Sequence, residues 1–102
     1  MALAKKTLTT SISTVYTSTN DSATTSIFFT NDNAAARTIS VYLVANSGTA
    51  DATTRIIKDL SIDGADTYIL SAEKIVLANG DTLQAVCSHA TSVYATVSYV
   101  SI

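Results

Sequence analysis

A chain of 102 residues with six Lys and Arg against eight Asp and Glu carries a formal net charge of −2, and its length suits one domain with one core. The basic residues Lys5, Lys6, Arg37, Arg55, Lys58 and Lys74 are scattered, which argues against the clustered cations that nucleic-acid binders use to neutralise phosphates. One cysteine excludes an internal disulfide, and no stretch approaches the roughly 18 apolar residues of a membrane-crossing helix.

Charged residues make up 14% of the chain, well under the roughly 25% usual in soluble domains, and Ser and Thr take their place. The opening MALAKK (1–6) lacks the long apolar run of a signal peptide. It reads as an extended N-terminal arm on a protein made in the cytoplasm.

From there the patterning is β to the end. A strand is expected near 7–17, ending at the breaker STND (18–21), where NDS (20–22) fits a glycosylation acceptor but reads as a loop. A second is expected near 24–30, before NDNAAA (31–36); the overlapping AAAR (34–37) is long enough only for a helical turn. The third, near 37–45, contains TISVYLV (38–44), which sets Ile39, Val41 and Leu43 on one face and Thr38, Ser40 and Tyr42 on the other. Period-two alternation rich in β-branched and aromatic residues marks a half-buried strand.

After NSGTAD (46–51), strands are expected near 53–62 and 66–70, separated by DGAD (63–66), and a short one near 74–77 precedes ANGD (78–81). The last two, near 81–88 and 92–102, flank SHAT (88–91). The final run alternates Val93, Ala95, Val97 and Tyr99 against Tyr94, Thr96, Ser98 and Val100. Gly48, Gly64 and Gly80 all fall in breakers, where positive φ is useful. Short strands at this spacing predict an all-β fold over 1–102: a single antiparallel β-sandwich, jelly-roll or immunoglobulin-like, of about eight short strands.

Asn79-Gly80 is a hairpin signal, because a type I′ turn needs positive φ at both central residues. In the run that follows, Leu83, Ala85 and Cys87 share the expected inner face. His89 lies two residues beyond Cys87, roughly 6.5–7 Å along an extended strand. That is too far for a nucleophile and its base, and no second histidine exists to build a zinc site. Cys87 therefore reads as a small buried hydrophobe and His89 as a loop residue.

Asp21, Asp32, Asp51, Asp63, Asp66 and Asp81 sit mostly in turns, where a carboxylate caps nearby amides. DGAD and NDN (31–33) resemble fragments of calcium loops but lack the spacing of an EF-hand. Of the five tyrosines, Tyr42 and Tyr94 are the candidates for a glycan-stacking platform; the plainer reading puts tyrosine rings at the sandwich margins with their hydroxyls wet. The expectation is no catalytic residue, no metal and no cofactor.

Open sandwiches expose strand edges, which free-standing proteins blunt with Lys, Pro or inward charge. This chain has no Pro and few Lys in its expected strands. Its surface therefore reads as that of a subunit held among neighbours.

In order, STVYTSTNDSATTSIFFTN (13–31), ARTISVYLV (36–44), IIKDLSIDGADTYIL (56–70), EKIVLANGDTLQAVCS (73–88) and VYATVSYVSI (93–102) resemble the small β-sandwich virion proteins of tailed bacteriophages, of the marine and cyanobacterial type. The resemblance spans nearly the whole chain from Tyr16 and implies a non-enzymatic structural component of the virion. Such a protein is a multi-copy neck, tail or baseplate accessory that docks on other virion proteins, with capsid decoration as the alternative. The partners implied are other virion proteins and further copies of the chain in a symmetric homo-oligomer, not nucleic acid or membrane. A carbohydrate-binding module on a fibre or tail tip and a small hydrolase are the readings from other classes.

Overall fold

The structure, a computed structural model, describes residues 2–70 and 75–102. Alternation in the sequence becomes alternation in burial wherever a strand is covered on one side. In β8 (Thr82–Cys87) the inward Leu83, Ala85 and Cys87 are buried while the residues between them are half-buried. β9 (Val93–Ser101) buries Val93, Ala95 and Val97 in the same way. Beside them in the same sheets are Ile39 and Val41 of β4 (Arg37–Val44), paired with Cys87 and Ala85, and Ile27 and Phe29 of β3 (Ser22–Asn31), paired with Val97 and Ala95, all buried in one apolar cluster.

The remaining strands are β1 (Ala2–Thr7), β2 (Ser13–Thr17), β5 (Arg55–Ile62), β6 (Thr67–Leu70) and β7 (Val76–Leu77). One sheet runs β1-β9-β3-β6, with β7 also paired to β3; the other runs β2-β8-β4-β5, and every pairing is antiparallel. The fold is the expected β-sandwich. Its pairs are nested in sequence: β1 with β9, β2 with β8, β3 with β6 and β7, β4 with β5. Successive pairs alternate between sheets, which is the winding of a jelly roll and not the immunoglobulin arrangement.

That winding corrects one expectation. β7 belongs to the first sheet and β8 to the second, so Asn79-Gly80 joins two sheets and does not close a hairpin. Asp81 N donates to the Ala78 carbonyl at 3.1 Å, and of the two central residues only Gly80 has positive φ, at 88°. This is a type II pattern; the type I′ twist is needed only where the flanking strands pair with each other. Glycine is required, since its φ is positive and a Cβ would lie 2.6 Å from Asn46 Cγ. Gly64 is required for a different reason: a Cβ there would meet the Ala34 carbonyl oxygen at 2.0 Å. No helix occurs among the described residues, so Ala34 to Arg37 form no helical turn.

The first expected strand, near 7–17, divides into β1 and β2, with the buried Leu8 anchoring the link between them. Residues 2–6, read as an arm, are part of a six-residue ladder from Ala2↔Tyr99 to Thr7↔Tyr94. Glu73 and Lys74, the latter opening the strand expected near 74–77, lie outside the described residues.

The strand edges are better guarded than the composition implies. β1 carries Lys5 and Lys6, β6 has four residues and β7 two, and β2 shifts register between Thr14 and Tyr16. β5 is irregular twice against β4, between Ile39 and Val41 and again before Tyr42. At the first irregularity Lys58 and Asp59 face Ser40, with Asp59 at φ 50° and its amide donating to Ser40 Oγ at 3.0 Å. Lysines, short strands and bulges are the usual means of preventing edge-to-edge pairing, so the edges, expected to be unguarded, carry guards of their own.

Candidate interaction surface

The register of the β1-β9-β3-β6 sheet fixes which side chains leave its outer face. Ile27, Phe29, Ala95 and Val97 point inward, so their neighbours point out. Across the strands the outward rows are Lys5, Thr96, Phe28 and Ile69; Leu3, Ser98 and Ser26; and Val100, Ala23 and Val76. Thr7, Tyr94, Thr30 and Thr67 form the row at the other end. Among the described residues the exposed large apolar side chains are Leu3, Ile12, Ile56, Ile69, Val76, Tyr94 and Ile102. Four of these, Leu3, Ile69, Val76 and Tyr94, stand on this one face, and Val76 is 67% exposed.

The outer face of the other sheet is different. Thr14, Thr17, Thr82, Gln84, Lys58 and Ser61 supply polar groups there, and Ile56 is its exposed large apolar residue among the described positions. Tyr42 and Val44 also point outward by register, yet both are buried, and Gly48 of the β4–β5 loop packs against Val44. The chain covers Tyr42 and Val44 on one outer face and leaves Leu3, Ile69 and Val76 open on the other. Scattered exposed apolar residues are ordinary on a soluble surface, and here the four stand in different rows with Lys5, Thr96, Ser98 and Thr30 between them.

The two tyrosines singled out as a stacking platform are not brought together. Tyr42 is buried on the β2-β8-β4-β5 sheet, and Tyr94 stands 40% exposed on the outer face of the opposite sheet. Tyr16 instead pairs with Tyr99, ring centroids 4.4 Å apart, and its hydroxyl meets Ser22 Oγ at 2.8 Å in the interior. Asn79 Oδ1 accepts from the amide of Asn20 at 2.7 Å, tying the turn to the loop between β2 and β3.

Cys87 is buried, and its thiol donates to the His89 carbonyl oxygen at 2.7 Å. The imidazole turns away, with Nδ1 3.1 Å from Ser88 Oγ. Cys87 and His89 are thus joined through the backbone carbonyl of His89, while the imidazole bonds to Ser88. A hollow of about 270 Å³ lies nearby on the outer face, lined by Thr38, Ser40, Asp59, Val86 and Ser88 among others. Its polar groups are largely engaged already: Ser40 Oγ donates to Asp59 Oδ1, and Ser88 Oγ accepts from the Thr38 amide.

The aspartates serve the turns. Asp81 accepts from the Asn46 amide on Oδ1 and from the Ala78 amide on Oδ2, both at 3.0 Å. The Thr53 hydroxyl and then its amide donate to Asp51 and hold that carboxyl below its ordinary range. Asp66 takes the Thr67 amide at 2.8 Å. Among the described residues no three His, Cys, Asp or Glu side chains gather as a metal site. No described helix is long and apolar enough to cross a membrane.

The outward apolar set was not read from the sequence, although Ile69 and Val76 lie in runs recognised as strands. Alternation identifies the two faces of a strand and does not say which face a neighbour covers. Compared with known proteins, the chain matches no family model, no curated protein and no solved structure.

Proposed function

We propose that this chain is a non-enzymatic structural component of a tailed-phage virion, a multi-copy neck, tail or baseplate accessory that docks on neighbouring virion proteins. One observation supports docking above the rest. The outer face of the β1-β9-β3-β6 sheet leaves Leu3, Ile69 and Val76 uncovered, while the opposite face exposes Ile56 as its large apolar side chain among the described residues. Burying such side chains against a neighbour is worth about 1.5–3 kcal/mol each at full burial, and repetition around a symmetry axis multiplies weak contacts into firm attachment. The jelly-roll winding is shared by viral shell and lectin domains, so it agrees with a virion role without selecting one. The virion assignment itself rests on the ordered resemblance of segments along the chain.

The test is incorporation into particles of chains carrying Ile69→Lys together with Val76→Lys. Both side chains are exposed, so the variant should unfold within about 0.5 kcal/mol per substitution of the parent. It should nevertheless be lost from purified particles. A variant that is incorporated at the parental level would remove this face from the account, and a parent chain missing from particles would remove the role.

A further inference from the structure

β1 is joined to the sandwich in an unusual way. Of its six residues only Ala4 is even half-buried, and none is buried. What holds the strand is its backbone ladder to β9, which runs from Ala2↔Tyr99 to Thr7↔Tyr94 without a register break. Immediately after it the chain is fixed: Leu8 is fully buried, its amide donates to the Val93 carbonyl at 2.9 Å, and its carbonyl accepts from Thr91. The firm part of the fold therefore begins at Leu8, and within residues 2–7 the contact with the core is made by Ala4, which packs against it half-buried.

The edge beneath β1 is also distinctive. β5 is bulged twice, β2 is bulged once, and β6 and β7 are short. With β1 lifted, β9 presents a regular six-residue edge backed by the buried Ala95 and Val97. An edge of that kind is a template for an added strand. The segment that fits it is known from the chain itself, because Ala4 already sits opposite Val97, and Lys6, opposite Ala95, extends from the open margin of the sheet.

We infer that β1 is an exchangeable strand, and that residues 2–7 of one copy pair with β9 of a second copy of this chain while the second copy's β1 completes the first. Exchange re-forms the same ladder in the partner, so almost no native contact is lost, which is why swapping is an accessible route to dimers. The reach is short. All six residues are taken up by the ladder and Leu8 stays fixed to its own Val93, so the acceptor must be a copy in direct contact. The inference does not rest on the docking role, since strands can exchange whether or not the apolar face is covered.

The experiment uses cysteine pairs across the ladder, with the buried native Cys87 as a background common to all chains. Lys5 lies opposite Thr96 on the outer face, whereas Lys6 lies opposite Ala95 and points to the other side. Lys5→Cys and Thr96→Cys in one chain should form the disulfide on oxidation, within the chain or between the chains of an exchanged dimer, which shows that the variants fold with β1 paired to β9. Chains carrying Lys5→Cys alone, mixed with chains carrying Thr96→Cys alone, should give a disulfide-linked heterodimer. Its yield should rise with concentration and exceed several-fold that from Lys6→Cys mixed with Thr96→Cys. Internal closure without excess heterodimer would overturn the inference. So would failure of the double variant to form the disulfide either within or between chains, because β1 would then pair with no β9.

Discussion

Asn31 Nδ2 donates to the carbonyl oxygen of Ile62 at 3.0 Å, and the bond crosses from the end of β3 in one sheet to the end of β5 in the other. The same amide group reaches the carbonyls of Ala35 and Asp63, while Asn31 Oδ1 accepts from the Asn33 amide. Asn31 is fully buried. One side chain thus fastens two loops and two sheets at the end of the sandwich, within a segment whose composition reads as a simple breaker.

Asn31→Ala strips these partners from buried carbonyls and should destabilise the protein by about 2–4 kcal/mol, measured by denaturant unfolding. Asn31→Asp tests the direction of the bonds. A carboxylate facing three carbonyl oxygens favours its protonated form, so its folded pKa would lie above the unfolded one. A raised acid pKa means that the folded state binds the extra proton, and stability should therefore improve as pH falls toward the carboxylate range. A variant equally stable at pH 7 and pH 4 would contradict this geometry.

Gly64 and Gly80 should respond differently to alanine. At Gly64 the new Cβ meets the Ala34 backbone, which cannot swing aside, and a loss of about 3 kcal/mol or more is expected. At Gly80 the obstacle is the Asn46 side chain, which can move, leaving mainly the strain of φ 88° at about 1–2 kcal/mol. Adding Asn46→Ala should recover part of the Gly80→Ala loss and none of the Gly64→Ala loss. A double-mutant cycle in denaturant reads the difference.

Asp51 gives a local pH signature. Its carboxyl is held below the ordinary range by the Thr53 hydroxyl and amide, so the turn is supported above the unfolded pKa and loosens as pH falls through the lower, folded one. Thr53→Ala removes the hydroxyl donor. In an NMR titration the Asp51 midpoint should move up toward that of a free aspartate, with other aspartates unmoved. A midpoint unchanged by Thr53→Ala would show that the hydroxyl is not the cause.

The parts of the fold legible in the sequence are those where one face of a strand is dry. Ile39, Val41 and Leu43, or Val93, Ala95 and Val97, are patterned by the core they form. β1 was hidden because ALAKKT buries almost nothing and is held by backbone pairing, which leaves no mark on side-chain choice. Asn79-Gly80 was recognised as a turn and misjudged as a hairpin, since local chemistry does not record which sheet the next strand joins. The candidate surface was invisible for a related reason. Tyr42 and Val44 are covered by their own chain whereas Ile69 and Val76 are not, and this difference is made by long-range packing.

The most direct test of the central claim is cryo-electron microscopy of the intact particle. The account predicts several symmetry-related copies of the sandwich, each with the face bearing Leu3, Ile69 and Val76 pressed against a neighbouring virion protein. Copies whose apolar face points into solvent, or particles in which the sandwich does not occur, would contradict it.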